Sequence, residues 1–454
     1  MQIIELLNEY AFGIAVPIGL VLVGIFYCIK LRAFHLRHPI VLIRSLFEKN
    51  RGDGVSPFRA VMLALAGTLG VGNIVGVASA IYLGGAGAVL WMWVSALCAM
   101  ILKYAEIVLA ILHRKRDKNG ELYGGAMYYI RDFFASKKKN AFGAILAGVF
   151  AILCIINAVS MGSMIQANAI SSAFEGVWDI SPMAVGIVLS VLTLAVSARG
   201  TGGIVKLTDL LVPIMSLGYV VLSMAIIIKN ASALPSVMRD IIGSAFSARS
   251  AASGAFGFLL SGAMRYGAMR GLLSNEAGCG TAPAAHAVSN TDSAAKQGIW
   301  GIFEVFVDTI VLCSMTAFVL LLGYESAAEH GGNFIMMTFS AYSRFLGGAA
   351  EIFMCLAVLF FGFATIVCWA HYGFVGVRYF SERGSARRIF MIIYSRSVLV
   401  GSVVSTDTVW QAADLAIGMM TVINLSMLVC MSGEVRCETE KFLISKTKKH
   451  NDSR

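Results

Sequence analysis

Charge is scarce in this chain of 454 residues: Asp, Glu, Lys and Arg make up 14% of it, against about 25% in a soluble globular protein. That deficit excludes a water-soluble enzyme. No HExxH, GxSxG or P-loop sequence occurs, so the parts of a metallohydrolase, a serine hydrolase or an ATP-driven machine are missing. The nine cysteines form no CxxC and do not pair with the seven histidines, which excludes a disulfide framework and a Cys/His metal site. The first ten residues carry Glu5 and Glu9 but no Lys or Arg. They lack the basic start of a cleaved signal peptide, and the first apolar run reads as a retained helix.

What is present is apolar. Hydrophobic residues reach 58% and the mean hydropathy is +0.77, which at about 20 residues per span leaves room for ten or more transmembrane helices and little else. Apolar runs fall near 11–29, 58–83, 87–112, 142–170, 182–198, 205–228, 254–273, 297–323, 350–377, 389–409 and 411–432. They predict an all-α polytopic membrane protein, one integral domain over 1–454 with about eleven transmembrane helices. Arg396 lies well inside the stretch 389–432, so the division between its two runs is the least defined.

Basic residues number 36 against 26 acidic ones, a net charge of +10. In a chain this apolar, the excess belongs to cytoplasmic loops rather than to a nucleic-acid surface. Alternate loops bear this out in composition: 30–57 and 113–140 are rich in Lys and Arg, whereas 174–181 and 324–332 carry acidic residues and neither Lys nor Arg. The positive-inside rule then predicts an N-terminus outside and a C-terminus in the cytoplasm of a bacterial plasma membrane. The loop 229–253, with Lys229, Arg239 and Arg249, runs against the rule.

Setting aside an N-terminal span with its cytoplasmic loop (1–56) and a basic cytoplasmic tail (433–454), ten spans divide into 57–228 and 254–432. Five helices starting inside, then five starting outside, is the arithmetic of an inverted repeat. The first helix of each half is also the one most interrupted by glycine: Gly67, Gly70, Gly72 and Gly76 in the first, and a series from Gly254 and Gly257 to Gly278 and Gly280 in the second. A helix broken in mid-membrane leaves N–H groups unpaired at one half-helix start and carbonyls unpaired at the other half's end. The positive dipole end suits a carboxylate and the freed carbonyls suit a small dehydrated cation, a pair of demands that an amino-acid zwitterion and sodium meet. The same glycines have the spacing of a helix-packing face; the polar Thr68 and Asn73 beside them favour a site.

These stretches also carry a resemblance. LALAGTLGVGNIVGVASAIYLGGAG over Leu63 to Gly87, KYAE at Lys103 to Glu106, GGAMYYI at Gly124 to Ile130 and RGLLSNEAGCGTAP at Arg270 to Pro283 are similar to the alanine or glycine:cation symporter family. The similarity runs from about residue 57 to 432. It implies a leucine-transporter-like five-plus-five fold with broken first helices, and uptake of a small neutral amino acid, alanine or glycine, with sodium as the co-transported ion and no organic cofactor. By the same resemblance the N–H groups of Val71 and Gly72 meet the substrate carboxylate, and the carbonyls of Ala66 and Leu69 with the Thr365 hydroxyl face a cation. Thr68 and Asn73 lie at a second cation position, Asn73 also bordering the substrate, and Gln166 and Trp369 form pocket walls. The chain departs from the family pattern at Val71, often threonine, at Ala364, often a hydroxyl residue, at Cys368, usually glycine, and at Ala86 and Ala126, usually proline. Proton coupling, a channel and a membrane-embedded enzyme are the rival readings.

Ionisable residues inside spans are functional candidates by default. Lys103 and Glu106 are three apart on one helix face, which reads as a buried structural ion pair or as interfacial snorkelling. Glu304 and Asp308, four apart, read as structural groups or a proton relay. Asn275 and Glu276 read as a gate or helix cap at the cytoplasmic end of the seventh span and not as substrate contacts, Arg265 and Arg270 as interfacial anchors of that end rather than gates, and His286 as an isolated loop or capping residue.

Overall fold

A computed structural model of the protein describes residues 15–48, 54–246, 262–330, 332–405 and 407–452. The first ten residues, Lys49, Arg51, Arg249, Gly254 and Gly257, which enter the readings above, lie outside these. In chain order the main helices are α1 (Val16–Lys30), α2 (Pro57–Thr68), α3 (Gly72–Gly84), α4 (Ala88–Leu112), α5 (Ala126–Ser136), α6 (Asn140–Trp178), α7 (Pro182–Ala198), α8 (Gly200–Lys229) and α9 (Leu234–Ala245). They continue as α10 (Gly262–Asn275), α11 (Ala282–His286), α12 (Ala294–Leu322), α13 (Phe334–Leu346), α14 (Ala349–Phe380), α15 (Gly384–Val403), α16 (Asp407–Cys430) and α17 (Ser432–Asp452). Among the described residues six helices are long and apolar enough to cross a membrane, namely α4, α6, α8, α12, α14 and the 409–430 part of α16; the bent pair α2 and α3 makes a seventh. The chain is a multi-pass membrane protein.

Each long helix shows why it sits where it does. On α8, Thr208, Val212, Met215, Tyr219, Ser223 and Ile226 recur every three or four residues and are buried. Leu210, Ile214, Leu217, Val221 and Ile228 occupy the opposite side and are exposed. One stripe packs on protein and the other meets lipid, so both are apolar, unlike the polar outer face of a helix in water. Helix α4 lies at the centre instead, every residue from Ala99 to Ile111 being buried.

Both glycine-rich stretches are broken. Helix α2 stops at Thr68, and α3 restarts at Gly72 through a wide π turn over Gly72–Gly76, the two making an angle of 56°. In the second half the chain leaves α10 at Asn275, passes a turn at 276–281 and resumes helix as α11. Gly278 and Gly280 sit at φ +84° and +79°, where a Cβ is strained, and that is why the helix opens there. This corrects the placement of Asn275 and Glu276 at the end of a span: the helix resumes beyond them, so they mark its break.

The segments read as loops also hold structure. Residues 113–140 form a hairpin of Lys115–Arg116 against Leu122–Tyr123 and the amphipathic α5, whose Ala126–Ile130 stretch is buried. Helix α9 occupies the 229–253 loop, and α13 lies between the eighth and ninth apolar runs. The tail after 432 is helical through Asp452. The division within 389–432 falls between Val403 and Asp407 rather than at 409–411.

Candidate functional site

The break between α2 and α3 redirects the donors that a continuous helix would use. Gly70 N–H turns to the Thr68 carbonyl (2.8 Å), Val71 N–H to Gln166 Oε1 (3.1 Å) and Asn73 N–H to the Gly70 carbonyl (3.2 Å). The carbonyls of Ala66, Gly67 and Leu69 therefore lose their i+4 donors. One of them is met from across the molecule: Thr365 on α14 donates its hydroxyl to the Ala66 carbonyl at 2.9 Å and to that of Phe361, on its own helix, at 3.0 Å. Thr365 and Ala66, which the resemblance sets at one cation, are thus hydrogen-bonded to each other. Gln166 holds the Val71 N–H that was assigned to a substrate carboxylate, so a ligand there has to displace an amide oxygen.

A cavity of about 670 Å³ opens on this break. Of the residues predicted for a site, it brings together Thr68, Val71, Gly72, Gln166, Thr365 and Trp369. Ala66 and Leu69 lie behind this wall, fully buried. Asn73 does not line the cavity: its amide nitrogen turns to Asp308 Oδ1 (2.7 Å), and its Oδ1 is buried without a partner among the described residues. The glycines divide in two. A Cβ at Gly70 would come within 2.9 Å of Thr365 Oγ1 and 3.1 Å of Gln166 Oε1, whereas one at Gly72 or Gly76 meets nothing within 4 Å among the described residues. Gly67 and Gly70 are packing positions, and no described residue fills the space beside Gly72 and Gly76.

Beyond the expected site residues, Arg270, Ser274, Glu276 and Asp414 are among those that line the cavity. Glu276 is a buried carboxylate that accepts from the Thr281 hydroxyl at 2.7 Å. Its signal in the sequence was its position just before Gly278 and Gly280, where the helix opens. Arg270 was expected to anchor at the interface, and it is drawn inside to the cavity wall instead.

Behind the cavity runs a polar network. Asp308 accepts from Asn73, from Ser274 (2.9 Å) and from Thr309 (2.8 Å), so it is joined to both broken helices. Glu304 pairs with Lys103 at 3.1 Å and with His286 at 3.1 Å, and His286 in turn meets Gln297 at 2.9 Å. His286 is therefore a fully buried member of a network, not an isolated loop residue. The other partner expected for Lys103, Glu106, takes the Gly280 N–H (2.7 Å) and the Asn424 amide instead.

The whole chain, residues 1–454, matches the family described as the sodium:alanine symporter family. It is 33% identical over 451 residues to the sodium/alanine symporter AgcS of Methanococcus maripaludis, covering 97% of each chain. It is 30% identical over 436 residues to the probable sodium/glutamine symporter GlnT of Bacillus subtilis, covering 95% of this chain and 88% of the relative. Among solved structures it is similar to MhsT in complex with L-phenylalanine, with a TM-score of 0.52 at 15% identity, covering 86% of this chain and 93% of that one. At that identity the likeness concerns the fold, which is that of the leucine-transporter-like carriers.

Proposed function

The chain belongs to the sodium:alanine symporter family, and we propose that it imports a small neutral amino acid, alanine or glycine, together with sodium by alternating access. It is a transporter and not an enzyme. The observation that carries the proposal is the meeting of Thr365 with a freed carbonyl of the broken helix beside an internal cavity. Sodium takes hard oxygen ligands, and the carbonyls of Ala66 and Leu69 with the Thr365 hydroxyl offer three. The start of α3, rich in N–H groups and open at Gly72, suits the substrate carboxylate. Glu276, on the same cavity, supplies the opposite charge for the ammonium end. Trp369 and Gln166 form walls of the same cavity.

A second cation position is favoured by one observation. Asn73 Oδ1 is buried without a hydrogen-bond partner among the described residues, on the side chain whose amide nitrogen donates to Asp308, to which Ser274 and Thr309 also donate. A buried acceptor of this kind costs about 1–3 kcal/mol unless something fills it, and a second sodium, or a proton on Asp308, would do so. In the same proposal, eleven spans form two inverted sets of five after α1, with the basic loops in the cytoplasm. Uptake of labelled alanine and glycine into proteoliposomes, with sodium and proton gradients imposed separately, tests the reading. Accumulation driven by a proton gradient alone would overturn sodium coupling.

A further inference from the structure

Away from the central cavity, on the side of the basic loops, a recess of about 490 Å³ lies between the 115–123 hairpin, α5 and the end of α14. Four cations line it, Lys115, Arg116, Arg131 and Arg378, against one carboxylate, Glu382. Two of the four are engaged: Lys115 with Asp132 at 2.6 Å and Arg378 with Asp117 at 3.1 Å. Arg131 reaches Asp132 only at 3.9 Å, and that carboxylate is already shared by Lys115 and His113. Glu382 accepts from the Tyr123 hydroxyl at 3.1 Å. Among the described residues, charge to spare therefore rests on Arg116 and Arg131.

The floor is aromatic. Arg131 lies over the rings of Tyr128 (5.8 Å) and Tyr379 (5.7 Å), and Arg378 over Tyr123 (3.6 Å), so the guanidinium groups are held in place by cation–π contact. Tyr128 is 3% exposed, and its buried hydroxyl has no hydrogen-bond partner among the described residues. An orphaned hydroxyl beside oriented guanidinium groups is a half-made anion site. Its location names the source of the anion. Phe380, which also lines the recess, is 55% exposed, and the neighbouring start of α6 turns Phe142, Ile145 and Ile152 outward to lipid. A phosphate in the recess would have apolar surface directly beside it.

We propose that this recess binds the phosphate of an anionic phospholipid headgroup, with Arg131 and Arg116 supplying charge, the Tyr128 hydroxyl donating to a phosphate oxygen and the acyl chains running along Phe380 and α6. Nothing in this assignment depends on the transported substrate. The test is native mass spectrometry and thermal unfolding of the full chain in detergent, with phosphatidylglycerol, phosphatidylcholine or glycerol phosphate added. Phosphatidylglycerol should remain bound and raise the melting temperature, and phosphatidylcholine should do neither. Arg131→Gln and Tyr128→Phe should each lower phosphatidylglycerol occupancy several-fold. Lys118→Gln, which removes the same charge from the same hairpin outside the recess, should leave it unchanged. Equal losses in all three variants, or equal retention of phosphatidylcholine, would overturn the site. Stabilisation by glycerol phosphate equal to that by the lipid would overturn the lipid as its source. Tyr128→Phe keeps the ring and its packing, so it decides the matter should Arg131→Gln fail to fold.

Discussion

Lys103 directs its ammonium 3.1 Å from Glu304, on another helix, and not to Glu106, which follows it by one turn of its own. Both partners are inaccessible to solvent, and the Asn275 carbonyl at the break of the second half accepts from the same ammonium at 2.6 Å. The ion pair therefore ties the central helix α4 to α12 and to the point where α10 ends.

Removing one member of such a pair strands the other charge, at a cost of about 3–5 kcal/mol. Lys103→Met should lower the melting temperature sharply, and the double variant Lys103→Met with Glu304→Gln should recover much of the loss. Glu106→Gln should be far milder, because its Oε1 still accepts from Gly280 N–H. Thermal unfolding of the four proteins in one detergent checks this; a Glu106→Gln loss equal to that of Lys103→Met would contradict the pairing.

Thr365→Ala should raise the sodium concentration for half-maximal uptake, whereas Thr365→Ser, which keeps the hydroxyl against the Ala66 carbonyl, should largely preserve it. Sodium titration of uptake in proteoliposomes decides, and an unchanged dependence in the alanine variant at normal expression would remove Thr365 from the cation.

Two glycines two residues apart should behave oppositely. Gly72→Ala has room for its Cβ and should fold with near-native stability, but the added methyl faces the cavity and should weaken alanine binding more than glycine binding. Gly70→Ala drives its Cβ against Thr365 and Gln166 and should lose stability by about 1–3 kcal/mol through overpacking. Melting temperatures measured beside binding of the two amino acids separate these outcomes.

A pH effect is expected outside the membrane. His113 lies between Asp132 (3.2 Å) and Glu434 (3.0 Å). Burial pulls its pKa down, but the two carboxylates outweigh this and hold it above the ordinary histidine value. A raised pKa means stability fully present below the unfolded value, about 6.5, and lost as pH climbs through the higher folded value. His113→Gln should therefore cost stability in mildly acidic buffer and little in alkaline buffer. Melting curves of the two proteins across that range check the sign; a difference that grows with pH would refute it.

The broken helix at 66–73 was legible because glycine density and two flanking polar residues are local signals. The facing of Thr365 and Ala66, 299 positions apart, could come only from resemblance, since nothing in either segment specifies the other. The place of Glu276 on the cavity escaped for a different reason: hydropathy ends the apolar run before it, while the resumption of helix at Ala282 depends on left-handed backbone at Gly278 and Gly280. Lys103 misled because spacing on one helix shows which groups can meet, not whether a distant carboxylate competes better. The hairpin, α5 and α13 were hidden among loops because they are too short or too polar to register as apolar runs.

Three helices bordering the site carry wide π turns, at Gly72–Gly76, Ala158–Met164 and Phe306–Cys313. Such a turn holds one residue more than an α-helix needs over the same length. These are the places where the helices are sensitive to chain length rather than to side-chain identity. Deleting one residue within Ala158–Met164 would let the turn close into regular helix and would rotate everything on one side of it by about 100° relative to the other. Gln166 would then swing away from Val71 with its own sequence neighbours untouched. An insertion–deletion scan through α6 should therefore give a sharp functional minimum at 158–164 that a scan of point substitutions over the same residues does not show.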